Sequence, residues 1–207
     1  TRTAPSRARA ECLEGCLMMA VDPAAVDNNP PEVTAVYVNG TQWAPEFRSY
    51  LADQHLGTAQ FGYQTDMLKP DNAEHARQQI LPWINLDQVS VQFSEAVLVQ
   101  QDDLAITSVA GNDYAVTGFA YDPNTFTATW TLDQPVPADI LVLRLDGTSP
   151  TGVTDLAGNF LKGNVNAGDG GAGGRDYEQA LPVLPGDVNR SGQVLADDAS
   201  EVRQKFF

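Results

Sequence analysis

The sequence predicts a mostly β protein, an antiparallel β-sandwich with a short helical insert, followed by a C-terminal loop and a single helix. Three observations lead there. Short runs that alternate apolar and polar residues recur between positions 33 and 145, and turn signals bound them. A single stretch within that region has helical spacing. The C-terminal stretch then changes character, with Asp, Asn, Ser and Gly at fixed offsets ahead of good helix formers.

The first strand is Val33-Thr34-Ala35-Val36-Tyr37-Val38, which alternates branched and smaller residues before the turn signal Asn39-Gly40. Trp43, Phe47 and Leu51 follow at i, i+4 and i+8, with Pro45 in a first helical turn and Gly57 as a stop, and they predict a short helix. Leu56 to Gln79 has no clear period and reads as a long loop, polar near Lys69 to Gln78. Val89, Val91 and Phe93 share one face of a strand of strict period two. Tyr114 to Tyr121 and Phe126 to Leu132 form a hairpin across Asp122-Pro123-Asn124-Thr125, with Phe126, Ala128, Trp130 and Leu132 in phase. Ile140 to Leu145 is a further strand, stopped by Asp146-Gly147. Gly168 to Gly174 reads as a flexible hinge, and Asp176 to Val183 as either an edge strand or an extended linker, because Pro182 and Pro185 cannot donate to a ladder.

The chain has 207 residues, 43% of them hydrophobic, which suffices for a real core. Acids outnumber bases 27 to 12, for a formal charge of -15. Such a surface repels nucleic acid and anionic membranes and suits either a soluble extracellular protein or one that collects divalent cations. No run approaches the ~20 apolar residues of a membrane span. Cys12 and Cys16 have a C-x3-C spacing with no companion Cys or His nearby, and read as incidental residues of a tail.

The C-terminal run carries the clearest chemistry. Asp187, Asn189 and Ser191 occupy the first, third and fifth places of a twelve-residue loop. Gly192 sits sixth, where a calcium loop turns sharply; Gln193 follows as a backbone-carbonyl donor, and Asp198 closes the loop. Calcium takes six to eight oxygens at about 2.3–2.6 Å, and this spacing gathers them around one Ca2+ ion. The other reading of the same residues is an Asx-rich turn. Leu181-Pro182-Val183-Leu184-Pro185 excludes an incoming helix, since two prolines interrupt it. Asp198 to Phe207 has good helix formers, with Val202 and Phe206 at i, i+4.

The Gly186-Asp187-Val188-Asn189 opening, Val194 at the eighth place and Asp198 at the twelfth resemble the dockerin repeat. The resemblance implies calcium binding and docking to a cohesin-like protein partner. A dockerin has two such repeats, and the chain ends at Phe207 within the first exit helix, so about half a dockerin is expected here. Where dockerins often carry a Ser/Thr pair late in the loop, this chain has Ala196 and Asp197.

Two further resemblances concern the rest of the chain. Ile84 to Val97, containing Val89-Ser90-Val91-Gln92-Phe93-Ser94-Glu95, and Val153-Thr154-Asp155-Leu156-Ala157-Gly158-Asn159 are similar to the opening and closing of bacterial Ig-like domains. This resemblance implies a sandwich of about seven strands used as a spacer or adhesive module. Leu13-Glu14-Gly15-Cys16-Leu17-Met18-Met19-Ala20 partly resembles a Leu-Glu-Pro-Arg motif near the N-termini of large exported bacterial proteins, with Gly15 and Cys16 in place of Pro-Arg.

Other constellations carry less. His55 and His75 read as loop histidines rather than ligands. Glu95 with Asp102 or Asp103 would be the carboxylate pair of a glycosidase. Asp155 and Asn159 read as an Asx-bonded turn in preference to a second calcium site. Trp43, Trp83, Trp130 and Tyr121 would form a sugar-stacking platform if exposed, but Trp130 is in phase with core residues. No nucleophile turn or phosphate loop is present.

The expected organisation is a leader or tail over 1–29 and an Ig-like sandwich over 30–165 with an insert at about 42–83. A Gly-rich linker with an edge strand spans 166–184, and a truncated dockerin-like repeat spans 185–207. The expected function is that of a non-catalytic calcium-binding module, extracellular or on the cell surface. The alternative is a polysaccharide-binding sandwich of a polysaccharide-degrading protein.

Overall fold

The computed structural model describes residues 27–67, 72–148, 150–165 and 174–206. Most of the leader, both cysteines and most of the Gly168–Gly174 hinge fall outside them. Strand predominates, and every strand pair is antiparallel.

In chain order the elements are β1 (Val33–Asn39), α1 (Pro45–Asp53), β2 (Gly57–Thr58), β3 (Gly62–Gln64), α2 (Ala73–Gln78), β4 (Leu86–Phe93) and β5 (Val97–Leu98). A 3-10 turn at Gln101–Asp103 leads into β6 (Leu104–Ser108), β7 (Val116–Asp122), β8 (Thr127–Val136) and β9 (Asp139–Leu145). The chain closes with β10 (Thr154–Asp155), β11 (Tyr177–Val183) and α3 (Ala196–Phe206).

Six strands form one sheet in the order β2-β3-β1-β4-β8-β7, three form another in the order β11-β9-β6, and β5 pairs with β10. Alternation explains the core between the two larger sheets. Val89, Val91 and Phe93 of β4 and Ala128, Trp130 and Leu132 of β8 point inward from the first. Leu141, Leu143 and Leu145 of β9 and Tyr177, Leu181 and Val183 of β11 meet them from the second. Trp130 is fully buried, and its indole N–H donates to the Gln101 carbonyl at 3.0 Å. Without that bond the buried donor would be costly.

Three expectations needed adjustment. The long loop over Leu56–Gln79 contains β2, β3 and α2. The two strands are too short to show a period; they exist because β3 pairs with the free side of β1, Tyr37 opposite Gln64 and Val38 opposite Tyr63. From Ala35 onward β1 is buried on both faces, because Phe61 of the same insert packs on Ala35 and Tyr37. Phe126 lies in the hairpin turn with a left-handed φ of 53°, so β8 begins one residue later, although Phe126 still packs against the core. β7 starts at Val116, which releases Tyr114 to donate from its hydroxyl to Asp139 at 2.8 Å.

The helix α1 forms where Trp43, Phe47 and Leu51 place it. Leu51 is fully buried, Pro45 opens the helix, and the Trp43 indole donates to the Ile84 carbonyl at 2.7 Å. Trp43, Phe47, Trp83 and Tyr63 form a linked aromatic cluster with ring centroids 5.0–6.3 Å apart. That cluster fixes residues 80–84 beside the last strand. The Leu81 amide donates to the Pro182 carbonyl at 2.8 Å, and Leu81 and Val183 form a parallel bridge. β11 lies at an edge of its sheet, where Pro182 is tolerated.

Candidate metal centre

The loop grows directly out of β11. The Leu184 and Gly186 amides donate to the Leu81 and Pro82 carbonyls, both at 3.0 Å. This backbone pairing stands where an ordinary EF-hand has an incoming helix.

Asp187, the first loop residue, is fully buried. Its Oδ1 accepts from the Ser191 amide and its Oδ2 from the Gly192 amide, each at 2.8 Å. To bring those amides onto one carboxylate the chain must turn back on itself, and it does so through left-handed φ angles of 55° at Arg190 and 84° at Gly192. A Cβ on Gly192 would meet nothing within 4 Å, so the glycine answers to backbone conformation and not to space.

Asp198 sits in the first turn of α3 and is almost fully buried. Its Oδ2 accepts from the Leu195 amide at 2.8 Å and its Oδ1 from the Asn189 amide at 3.1 Å. Those amides, Leu195 foremost, hold its carboxyl below the ordinary carboxylate range. Asp198 thus ties the helix start to the third loop position. The Asn189 side-chain Nδ2 donates to Asp197 at 3.0 Å, and its side-chain Oδ1 accepts from the Ser191 amide at 2.9 Å.

The loop oxygens lie close together through hydrogen bonds that the Ser191 hydroxyl donates. Asp187 Oδ1 lies 3.4 Å from Ser191 Oγ, which lies 3.0 Å from the Gln193 carbonyl oxygen. Adjacent ligand oxygens about 2.4 Å from an ion in a pentagonal-bipyramidal shell are roughly 2.8–3.4 Å apart. The donors are carboxylates, a side-chain amide, a hydroxyl and a carbonyl, a set suited to a hard cation. Asp187, Asn189, Ser191, Gln193 and Asp198 would hold it, and the neighbouring Asp197 adds negative potential at the N-terminus of α3.

Arg190, at the fourth place, reaches away from the loop. Its guanidinium donates to the Gln78 carbonyl at 2.5 Å and to the Tyr63 hydroxyl at 2.9 Å. Sequence spacing gives no sign of this contact, because Tyr63 and Gln78 belong to elements that form only in tertiary context.

A second acidic group lies elsewhere. Asp27, Glu95 and Asp155 each bring a carboxylate oxygen within 4.8 Å of the others, because β5 and β10 pair Val97 with Asp155. Burial first, then the charges of Asp27 and Asp155, raises the Glu95 carboxyl above its ordinary value. Asp155 is already engaged: Oδ1 accepts from the Ala157 and Asn159 amides at 2.8 Å, and Oδ2 from the Asn159 side chain at 2.7 Å. Burial would raise its carboxyl, but these bonds outweigh burial and lower it. Asp155 and Asn159 thus form the Asx-bonded turn anticipated for them.

The other candidates separate. Asp103 caps the 3-10 turn by accepting from the Gln100 amide at 2.7 Å, whereas Glu95 faces Asp27 and Asp155. His55 lies in the turn after α1 with a φ of 57°, and the His75 side chain is outside the described residues. Trp43 and Trp130 are buried and Trp83 is half-buried, so they form no exposed row. Among the described residues no helix is long and apolar enough to cross a membrane. Comparison with protein-family models, with curated proteins and with solved structures found no match to this chain.

Proposed function

We propose that the chain is a non-catalytic calcium-binding module of an exported bacterial protein. In this reading an Ig-like spacer or adhesion sandwich is joined to a dockerin-like segment that docks to a cohesin-like partner. The observation that carries the proposal is the spacing of Asp187 Oδ1, Ser191 Oγ and the Gln193 carbonyl, 3.4 and 3.0 Å along the loop that Asp198 closes.

The loop works by electrostatic exchange. Asp187, Asp197 and Asp198 crowd one short segment and repel one another, and a divalent cation replaces that repulsion with coordination. The resulting order passes into α3 through Asp198, whose carboxylate holds the Leu195 amide. With two carboxylates in the ligand set, affinity is expected at the weak end for calcium loops, a Kd of about 10⁻⁴–10⁻³ M. At about 10 mM calcium, such binding stabilises the ordered form by roughly 1.4–2.7 kcal/mol.

Burial of Trp43 and Trp130 weighs against the polysaccharide-binding alternative, since a stacking platform needs exposed rings. Calorimetric titration with calcium, followed by chelation, tests the proposal. One-site binding with chelator-sensitive ordering of residues 187–206 is expected. No heat together with no chelator-sensitive ordering refutes it.

A further inference from the structure

Arg190 sits between two residues of the ligand set, Asn189 and Ser191, in a left-handed conformation with a φ of 55°. When its neighbours hold an ion, its backbone is fixed and its side chain is aimed. The aim is at the body of the protein. One arm of the guanidinium reaches the last carbonyl of α2, at Gln78, and the other reaches the Tyr63 hydroxyl on β3. Tyr63 in turn packs on Trp83, with centroids 5.5 Å apart.

The same side chain separates two clefts. On one side is an open polar cleft of about 570 Å³, walled by His55, Tyr63, Asp66, Gln78 and Arg190. On the other is a cleft of about 580 Å³ between α2 and the loop, lined by Glu74, Arg77, Asn189 and Ser191. The helix α2 has six residues, and Glu74, Arg77 and Gln78 are exposed, so little of its own packing holds it. An isolated helix of that length is unstable in water. A fork that grips its C-terminal carbonyl is well placed to decide whether it stays docked.

We propose that Arg190 is a clasp through which calcium in the loop fixes α2 against β3, so that ion occupancy sets the order of the wall between the two clefts. The proposal rests on the calcium reading above. With the ion bound, Asn189 and Ser191 are committed, Arg190 is held in its left-handed conformation, and both donated bonds form at small entropic cost. Without it the loop carboxylates repel, the Arg190 backbone is released, and α2 loses its tether. Linkage makes the effect reciprocal: removing the clasp weakens calcium binding by the factor that calcium strengthens the clasp.

The test is hydrogen exchange on the full chain with calcium and with chelator, in wild type, Arg190→Met and Tyr63→Phe. Arg190→Met keeps the reach of the side chain and removes its donors, while Tyr63→Phe removes one acceptor that belongs to no ligand residue. The readout is residues 73–80, including the Ala76 and Ile80 amides, which donate to Asn72 and Arg77. Leu81 and Pro82 are left out because backbone bonds that do not involve Arg190 tie them to the loop.

In wild type, calcium should slow exchange both in the loop, at Ser191, Gly192 and Leu195, and across 73–80. In Arg190→Met the loop should still respond and 73–80 should not, with calcium affinity about three- to tenfold weaker, a coupling at the low end of the usual range. Tyr63→Phe should give an intermediate result. Calcium protection of 73–80 that survives in Arg190→Met overturns the clasp. So does loop protection in wild type with no response at 73–80, which leaves the calcium reading intact. Absence of any calcium response in the loop sinks both.

Discussion

Two glycines offer a matched test of whether the loop orders with its ion. Gly192 and Gly111 have nearly the same left-handed φ, 84° and 85°, and a Cβ on either would meet nothing within 4 Å. Replacing each with Ala therefore changes backbone preference and nothing else. An L-residue in the left-handed region costs about 1–2 kcal/mol. At Gly111, in the loop between β6 and β7, the cost falls on folding. Gly111→Ala should lower the melting temperature by about 2–8 °C, at roughly 2–4 °C per kcal/mol for a chain of this size. Its calcium affinity should match wild type. At Gly192 the cost falls where the loop becomes ordered. If ordering accompanies binding, Gly192→Ala should raise the calcium Kd by about 5- to 30-fold, which is 1–2 kcal/mol, while the melting temperature in chelator stays unchanged. Titration calorimetry and thermal melts of the two variants give all four numbers. An unchanged Kd together with a lowered melting temperature in chelator would show that the loop is ordered without calcium. That would refute the coupling of ion and order.

Two predictions concern the scaffold. Asp139 accepts from Ser108, Ala110, Asn112, Tyr114 and Ile140 at 2.6–3.0 Å. Burial would raise its carboxyl, but the bonds from Ser108, Asn112, Ala110 and Tyr114 outweigh burial and hold it well below the ordinary range. Asp139→Ala should cost about 3–5 kcal/mol near neutral pH by denaturant titration. Because the folded value is depressed, that difference should be full above about pH 4 and shrink as pH falls below it; a pH-independent difference contradicts the assignment. Gly147→Ala would place a Cβ 2.0 Å from the Arg175 carbonyl oxygen, a backbone atom that cannot swing aside. A loss of about 3 kcal/mol is expected, and an unchanged denaturation midpoint would contradict the close approach.

What could be read from the chain divides along physical lines. Strands β4, β8 and β9 were legible because one face of each is core, so burial writes alternation into Val89-Val91-Phe93, Ala128-Trp130-Leu132 and Leu141-Leu143-Leu145. The helix α1 was legible because three apolar residues share its buried side. β2 and β3 were not, since two or three residues cannot carry a period, and they form only because β1 offers a free side. α2 carries good helix formers, Ala73, Glu74, Ala76, Arg77 and Gln78, but no apolar stripe to give it away. The spacing of Asp187, Asn189, Ser191 and Asp198 was legible because a loop that closes on itself keeps its geometry in sequence. The reach of Arg190 to Tyr63, and the meeting of Asp27 with Glu95, depend on how distant segments pack, and no local pattern records that.

The pairing of β3 with β1 has a consequence for self-association. β1 carries Val36, Tyr37 and Val38 buried and would, without the insert, present seven residues of unpaired backbone at the rim of the sheet. Such a rim is a template on which a second chain can add a strand. The insert takes up that rim over its C-terminal half, where β3 pairs with Tyr37 and Val38 and the Thr65 amide donates to the Val36 carbonyl, and beyond β3 the sheet ends on β2, the two residues Gly57 and Thr58. A stretch that short gives an incoming strand almost nothing to grip. The segment that looked least structured in the sequence is the one that covers the C-terminal half of β1.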